Sequence, residues 1–131
     1  MATSSCQIRV RYSETDQMGV AYYANYFVWF EVARCELLRA LGGRYRDLED
    51  KGVLLPVIEA HCDYRAPARY DDDLDVLTTG SMRSRARVAF RYEVRRRIDQ
   101  ALLAVGHTVH AATDRSGKLL RVPSDLQAML T

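Results

Sequence analysis

The sequence predicts an α+β fold in which an antiparallel sheet wraps one long central helix. Three observations predict it. Ala24 to Leu41 contains neither Gly nor Pro, is apolar around most of its helical circumference, and stops at Gly42-Gly43. The segments on either side alternate apolar and polar residues with the period of a strand. One such segment precedes the helix and four consecutive ones, which can pair antiparallel in order, follow it, so a single apolar sheet face must cover the helix. With 131 residues, the chain can build one core and not two, which makes 1–131 a single domain.

Each element has its own signal. Gln7 to Tyr12 alternates, with Ile8, Val10 and Tyr12 on one side and Gln7, Arg9 and Arg11 on the other. Ser13 to Val20 is polar, contains Gly19, and reads as a loop. In the helix, Tyr26, Phe27, Phe30, Ala33, Leu37, Leu38 and Leu41 form one wide stripe. The opposite arc holds Glu31, Glu36 and Arg39, but also Val28, Val32 and Cys35. Arg44 to Gly52 reads as a polar connection. Leu54, Ile58, Ala60, Cys62 and Tyr64 share a face of the second strand, before Pro67 and the acidic turn Asp71-Asp72-Asp73. Leu74, Val76 and Met82 mark the third strand. Arg83 to Ile98 reads as the clearest strand, with Ala86, Val88, Phe90, Tyr92 and Val94 on one face and a row of arginines on the other. A turn at Asp99-Gln100 leads to the last strand, where Leu103, Val105, Val109 and Ala111 share a face. Pro123 precedes a short helix over Ser124 to Leu130.

Composition excludes several classes of function. Nineteen Lys+Arg against seventeen Asp+Glu leave a net charge of +2, far from the basic excess of a nucleic-acid binder. No apolar run approaches the roughly 20 residues of a membrane helix. Met1 to Cys6 has neither a basic end nor an apolar stretch, so no leader is expected and a cytoplasmic location is the default. Three widely spaced cysteines, at 6, 35 and 62, suit neither a disulfide framework nor a zinc site. His107 and His110 are three apart on a strand and point to opposite faces. No metal and no cofactor are therefore expected.

The chemistry lies between the first strand and the helix. Asp16-Gln-Met-Gly19 precedes Tyr23-Ala-Asn25-Tyr26 at the helix start. The first N–H groups of a helix are unpaired, and the positive end of its dipole suits a developing oxyanion. A carboxylate seven residues upstream, on a loop that Gly19 lets turn tightly, can fold back over that end. There it can attack a carbonyl carbon or take a proton from water. No Ser-His-Asp or Cys-His arrangement competes. The bland reading makes Asp16 a helix cap or a solvated loop residue, Asn25 a cap, and Glu31–Arg34 a surface pair. Arg34, however, falls inside the apolar stripe among Phe30, Leu37 and Leu38, where a charge needs a buried partner or a site.

The segment Tyr12 to Tyr26, followed by Phe30-Glu31-Val32-Ala33-Arg34, resembles the signature of hotdog-fold acyl-CoA thioesterases of the 4-hydroxybenzoyl-CoA thioesterase and YbgC-like branch. Leu55-Pro56-Val57-Ile58-Glu59, Tyr64 to Tyr70 with Asp72, and Gly106-His107-Thr108 extend the likeness over nearly the whole chain. The resemblance implies a five-stranded antiparallel sheet around the helix and a homo-oligomer, dimer or tetramer, with a continuous sheet. It implies hydrolysis of an acyl-CoA thioester, with coenzyme A as part of the substrate. Asp16 matches the catalytic carboxylate, nucleophile or general base, and the Tyr23 backbone N–H matches the carbonyl-polarising group. Gly19, Val20, Asn25, Tyr26 and Arg34 are expected to line the substrate pocket. Where many YbgC-like members carry His, this chain has Tyr23, as the hydroxybenzoyl type does, which departs from a His-assisted step.

Arg83, Arg85, Arg87 and Arg91 have two readings: a solvated outer sheet face, or a seat for the phosphates of coenzyme A. A nucleic-acid stripe ranks last, because Phe90 and Tyr92 face the core and leave no exposed aromatics for stacking. Two alternatives remain open within the fold, an acyl-carrier-protein thioesterase and a non-catalytic acyl-CoA binding protein. A hotdog dehydratase would need a His–carboxylate motif that nothing around His61, His107 or His110 resembles.

Overall fold

A computed structural model describes residues 1–131. Its elements are β1 (Ala2–Arg9), a single 3-10 turn (Tyr12–Glu14), α1 (Asn25–Ala40), α2 (Tyr45–Asp50), β2 (Val57–Tyr64), β3 (Asp73–Ser84), β4 (Arg87–Arg96), β5 (Leu102–Ala111) and α3 (Ser124–Leu130). The five strands form one antiparallel sheet in the order β1-β3-β4-β5-β2. The five-stranded antiparallel α+β class read from the pattern holds.

Helix α1 packs on β1 and β3. It buries Tyr26, Trp29, Phe30, Ala33, Leu37 and Leu38, which recur at intervals of three and four and so lie on one face. Phe30 stacks on Tyr92 of β4 with ring centroids 4.2 Å apart and packs over Gly106 of β5. A Cβ on Gly106 would lie 2.5 Å from the Phe30 ring, so only glycine lets helix and sheet approach this closely. Loss of a fully buried ring such as Phe30 costs on the order of 3–5 kcal/mol. The helix ends where Gly42 takes a left-handed φ of +87° and the Gly43 N–H returns to the Leu38 carbonyl.

The structure departs from the sequence reading in six places. First, β1 begins at Ala2, and Tyr12 lies in the 3-10 turn, 71% exposed. Second, Trp29 joins the buried stripe, while Val28 and Val32 stay exposed on α1; the chain does not wrap its helix on every side. Third, Arg44 to Gly52 contains α2, and Leu48 buries itself in the core. Fourth, Arg83 to Ile98 is not one strand. The chain reverses at Arg85-Ala86, pairing Ser84 with Arg87 and Met82 with Val88. The turn has no Gly, Pro or Asn, and the reversal keeps the even residues apolar, so the alternation runs through it unbroken. Its carbonyls are held from elsewhere, by the N–H of Ala112 on Ala86 and of Val122 on Arg85. Fifth, the face of β5 towards α1 carries Gly106, Thr108 and His110, while Val105, His107 and Val109 line the outer side. Sixth, β2 does not follow into β3. It crosses to pair with β5 and becomes a sheet edge.

Candidate active site

The loop between β1 and α1 is pinned by a buried carboxylate. Glu14 is 6% exposed. One of its carboxylate oxygens accepts the Arg11 N–H at 2.8 Å and the other accepts the Trp29 Nε1–H at 2.9 Å. The Arg11 guanidinium, with Nε 3.6 Å away, balances the charge. The Glu14 backbone carbonyl accepts the Asn25 side-chain N–H and the Tyr22 N–H, each at 2.8 Å. Asn25 therefore does not cap α1; it ties the loop to the helix's first turn.

Asp16 stands in the loop so anchored. A bridge between Thr15 and Ala21 closes the loop at its base. Inside it, the Gly19 N–H donates to the Asp16 carbonyl and the Asp16 N–H to the Val20 carbonyl, both at 2.9 Å. Gly19 has φ +80°, a conformation that L side chains avoid. The Asp16 side chain is half-buried; its Oδ1 accepts the Met18 N–H at 2.9 Å and its Oδ2 accepts nothing from the chain. It does not cap the helix, whose cap residue is Ala24 with no side-chain bond.

At the helix entrance, the Tyr23 and Ala24 N–H groups donate to no group in the chain. The Tyr23 carbonyl is held at 2.8 Å by the hydroxyl of Tyr64, the last residue of β2. The Tyr26 hydroxyl accepts the Ala68 N–H at 3.3 Å, and burial raises its pKa and keeps it protonated. A cleft of about 280 Å³ opens here between Val20, Tyr23 and Tyr26 on one side and Tyr64, Arg65 and Pro67 on the other.

Of the residues singled out in the sequence, Val20, Tyr23 and Tyr26 line this cleft, Asp16 and Gly19 lie in the adjoining loop, and Asn25 ties that loop to the helix. Arg34 lies apart, about 13 Å farther along α1, in a separate cavity with Tyr45 and Leu55. The four arginines also separate. Arg83 of β3 and Arg91 of β4 share an outer-face hollow with Glu59, His61, Asp63 and His107, while Arg85 sits in the turn and Arg87 at the exposed start of β4. Sequence reasoning missed Glu14, whose role depends on Trp29 fifteen residues later, and Tyr64 as the clamp on Tyr23.

A family model described as "Thioesterase-like superfamily" matches residues 10–130. The chain belongs to the thioesterase-like superfamily. Among relatives of this superfamily member, Bacillus subtilis YneP is 49% identical over 78 residues, which are 60% of this chain and 56% of YneP. The acyl-CoA thioesterase YbgC of Haemophilus influenzae is 34% identical over 127 residues, 95% of this chain and 91% of that one. Among solved structures, the 1,4-dihydroxy-2-naphthoyl-CoA thioesterase Slr0204 of Synechocystis superposes with a TM-score of 0.92 at 25% identity, covering 98% of this chain and 95% of its own. The resemblance read from Asp16-x-x-Gly19 and Asn25-Tyr26 is borne out at the level of the superfamily. No helix is long and apolar enough to cross a membrane.

Proposed function

We propose that this superfamily member hydrolyses acyl-CoA thioesters, with Asp16 as the catalytic carboxylate and the helix entrance as the oxyanion seat. One observation carries the reading: a carboxylate with a free oxygen stands on a loop that Glu14 pins to the start of α1, where the Tyr23 and Ala24 N–H groups are unpaired. A thioester carbonyl seated on those N–H groups has its developing charge met by fixed donors and by the helix dipole. Asp16 then either attacks the carbonyl carbon and releases the thiolate, leaving an anhydride that water opens, or takes a proton from the water that attacks. Both routes give the free acid and CoA–SH and use no cofactor. The names of YbgC and Slr0204 support the choice of acyl-CoA as the thioester.

For the nucleotide end, the reading narrows to Arg83 and Arg91. The acids in their hollow are engaged by histidines, Glu59 by His107 at 2.7 Å and Asp63 by His61 at 3.1 Å. Both guanidinium groups are thus left free of ion pairs to meet phosphates.

The chain works as a homodimer in this reading, joined through the open edge of β2. The exposed Val57, Ile58 and Tyr64 on that strand and Val28 and Val32 on α1 support it.

The test is a panel of acyl-CoA thioesters with a free-thiol readout, run on wild type and Asp16→Asn. Asparagine keeps the size of the side chain and its bond from Met18 but loses the charge. The expected result is a kcat lower by about 10² to 10⁴, with an unchanged melting temperature and unchanged or tighter substrate binding. Turnover retained in a folded Asp16→Asn overturns the mechanism. Binding without cleavage by wild type favours the non-catalytic alternative.

A further inference from the structure

The cavity around Arg34 is a second place where the chain leaves its polar groups unsatisfied. Arg34 sits in the apolar stripe of α1, yet no ion pair of the chain includes it. Its Nε is fully buried without a hydrogen-bond partner, and so is the hydroxyl of Tyr45 beside it. Both line a cavity of about 450 Å³ whose other walls include Cys35, Leu54, Leu55 and Pro56. Glu31 and Glu49 reach its exposed rim, neither within ion-pair distance of Arg34. Behind it, Tyr92 bonds Thr108, and burial first, with the Arg34 charge adding, lowers the His110 pKa to about 4, so that His110 is neutral. The guanidinium is thus a half-buried cation beside the neutral hydroxyls of Tyr45 and Tyr92, with Glu31 and Glu49 only at the rim and no carboxylate of the chain paired with it, an arrangement that an incoming anion would complete.

The ends of β2 connect this cavity to the proposed active site. Leu54 to Pro56 lead into Val57, its first residue, while Tyr64, its last, clamps Tyr23. When two β2 edges pair antiparallel about a twofold axis, the start of each strand lies beside the end of the other. In such a pair the Leu54–Pro56 wall of one copy's Arg34 cavity lies towards the Tyr64 end of the other copy's β2, which clamps Tyr23.

We propose that this cavity selects acyl groups ending in a carboxylate: the thioester lies at the Asp16 loop of one copy, the chain runs along Leu55 and Pro56 of the other, and the terminal carboxylate meets Arg34 and Tyr45. The inference rests on the acyl-CoA hydrolase reading and its dimer. An aliphatic wall ending in a planar cation with a hydroxyl beside it suits an ω-carboxyacyl chain better than a fully apolar one.

The test compares hexanoyl-CoA with adipoyl-CoA, equal in carbon number and differing in the terminal carboxylate. Wild type should favour adipoyl-CoA in kcat/KM by about tenfold or more, the range of one charge-assisted hydrogen bond. Arg34→Gln should bring the ratio to about one or below, and the ratio rather than the rate is the readout. Because Arg34→Gln is exposed to misfolding, calorimetry of free adipate on wild type provides a measurement that needs no variant. Saturable binding that competes with adipoyl-CoA is expected. A wild-type ratio at or below one, or no adipate binding, overturns the proposal. If neither thioester is cleaved while adipate binds wild type and not a folded Arg34→Gln, the carboxylate site stands and the hydrolase reading falls.

Discussion

Two carboxylates two residues apart show how environment divides their work. Glu14 is buried and meets the Arg11 and Trp29 N–H groups with both oxygens. Asp16, half-buried on the same loop, accepts one N–H with Oδ1 and keeps its other oxygen free. Replacing Glu14 by Gln turns one acceptor into an amide N–H facing a donor it cannot pair with. The expected loss of stability is about 1–3 kcal/mol, read in urea unfolding, and kcat falls with it because the loop carrying Asp16 loosens. Asp16→Asn should lower kcat alone, so the two variants separate positioning from chemistry. If Glu14→Gln leaves the urea midpoint unchanged, the buried carboxylate is not the loop's anchor. Asp16 was legible in the sequence because its signal is local, an Asp and a Gly at fixed distance from a helix start. Glu14 was not, because nothing nearby announces a partner fifteen residues on, and Trp29 was absent from the predicted stripe.

At the level of elements, the strongly periodic segments were legible and the changes of direction were not. Helix α1 was expected over Ala24 to Leu41 and spans Asn25–Ala40, since seven apolar positions and a glycine stop agree. The β3–β4 reversal left no trace, because the two-residue turn swaps parity and the irregularity between Met82 and Ser84 swaps it back, pairing Met82 with Val88 and Gly80 with Phe90. Strand β5 misled for a different reason. Its inner face is built from Gly106, Thr108 and His110, the residues that hydropathy sends outward. His110 is 1% exposed; its Nδ1–H donates to the Leu55 carbonyl and its Nε2 accepts from the Thr108 hydroxyl, each at 2.9 Å. A histidine held neutral by burial makes stability depend on pH. Its pKa falls from 6.5 in the unfolded chain to about 4 in the fold, so between these values the unfolded state binds more protons. Its contribution is therefore complete above about pH 6.5 and is lost as pH falls towards 4, on the order of 3 kcal/mol in all. Urea unfolding at pH 7.5 and at pH 4.5 should show this drop in wild type and a smaller one in His110→Asn. Equal pH dependence in the two proteins would remove His110 as its source.

On the scale of the whole molecule, the single chain leaves unfinished edges. Strand β2 pairs with β5 on one side only, so the backbone groups on its other side are open to another strand. Ala60, Cys62 and Tyr64 turn towards the helix side, opposite Thr108, Gly106 and Ala104; Val57 and Ile58 at the start of the strand are 47% and 50% exposed, and Val28 and Val32 on α1 are 48% and 42% exposed. None of this could be read from the pattern, because an apolar helix surface looks the same whether its own chain or a second copy covers it. Pairing two β2 edges would continue the sheet across both copies and bury these residues together. We expect sedimentation at micromolar concentration to give at least twice the 15.0 kDa of one chain. The double variant Val32→Glu with Ile58→Lys carries the test. Both sites are half exposed in the single chain, so each change should alter its stability by no more than about 0.5 kcal/mol. In a joined pair, the same side chains would be charges forced out of water. The variant should therefore sediment as a folded monomer with a native circular dichroism spectrum. It should also lose the preference for a carboxylate-ended acyl group, because the Arg34 cavity and the Asp16 loop that share one acyl chain would no longer belong to one particle. A wild-type protein that sediments at 15.0 kDa while turning over acyl-CoA would show instead that one chain is sufficient, with the β2 edge left to solvent.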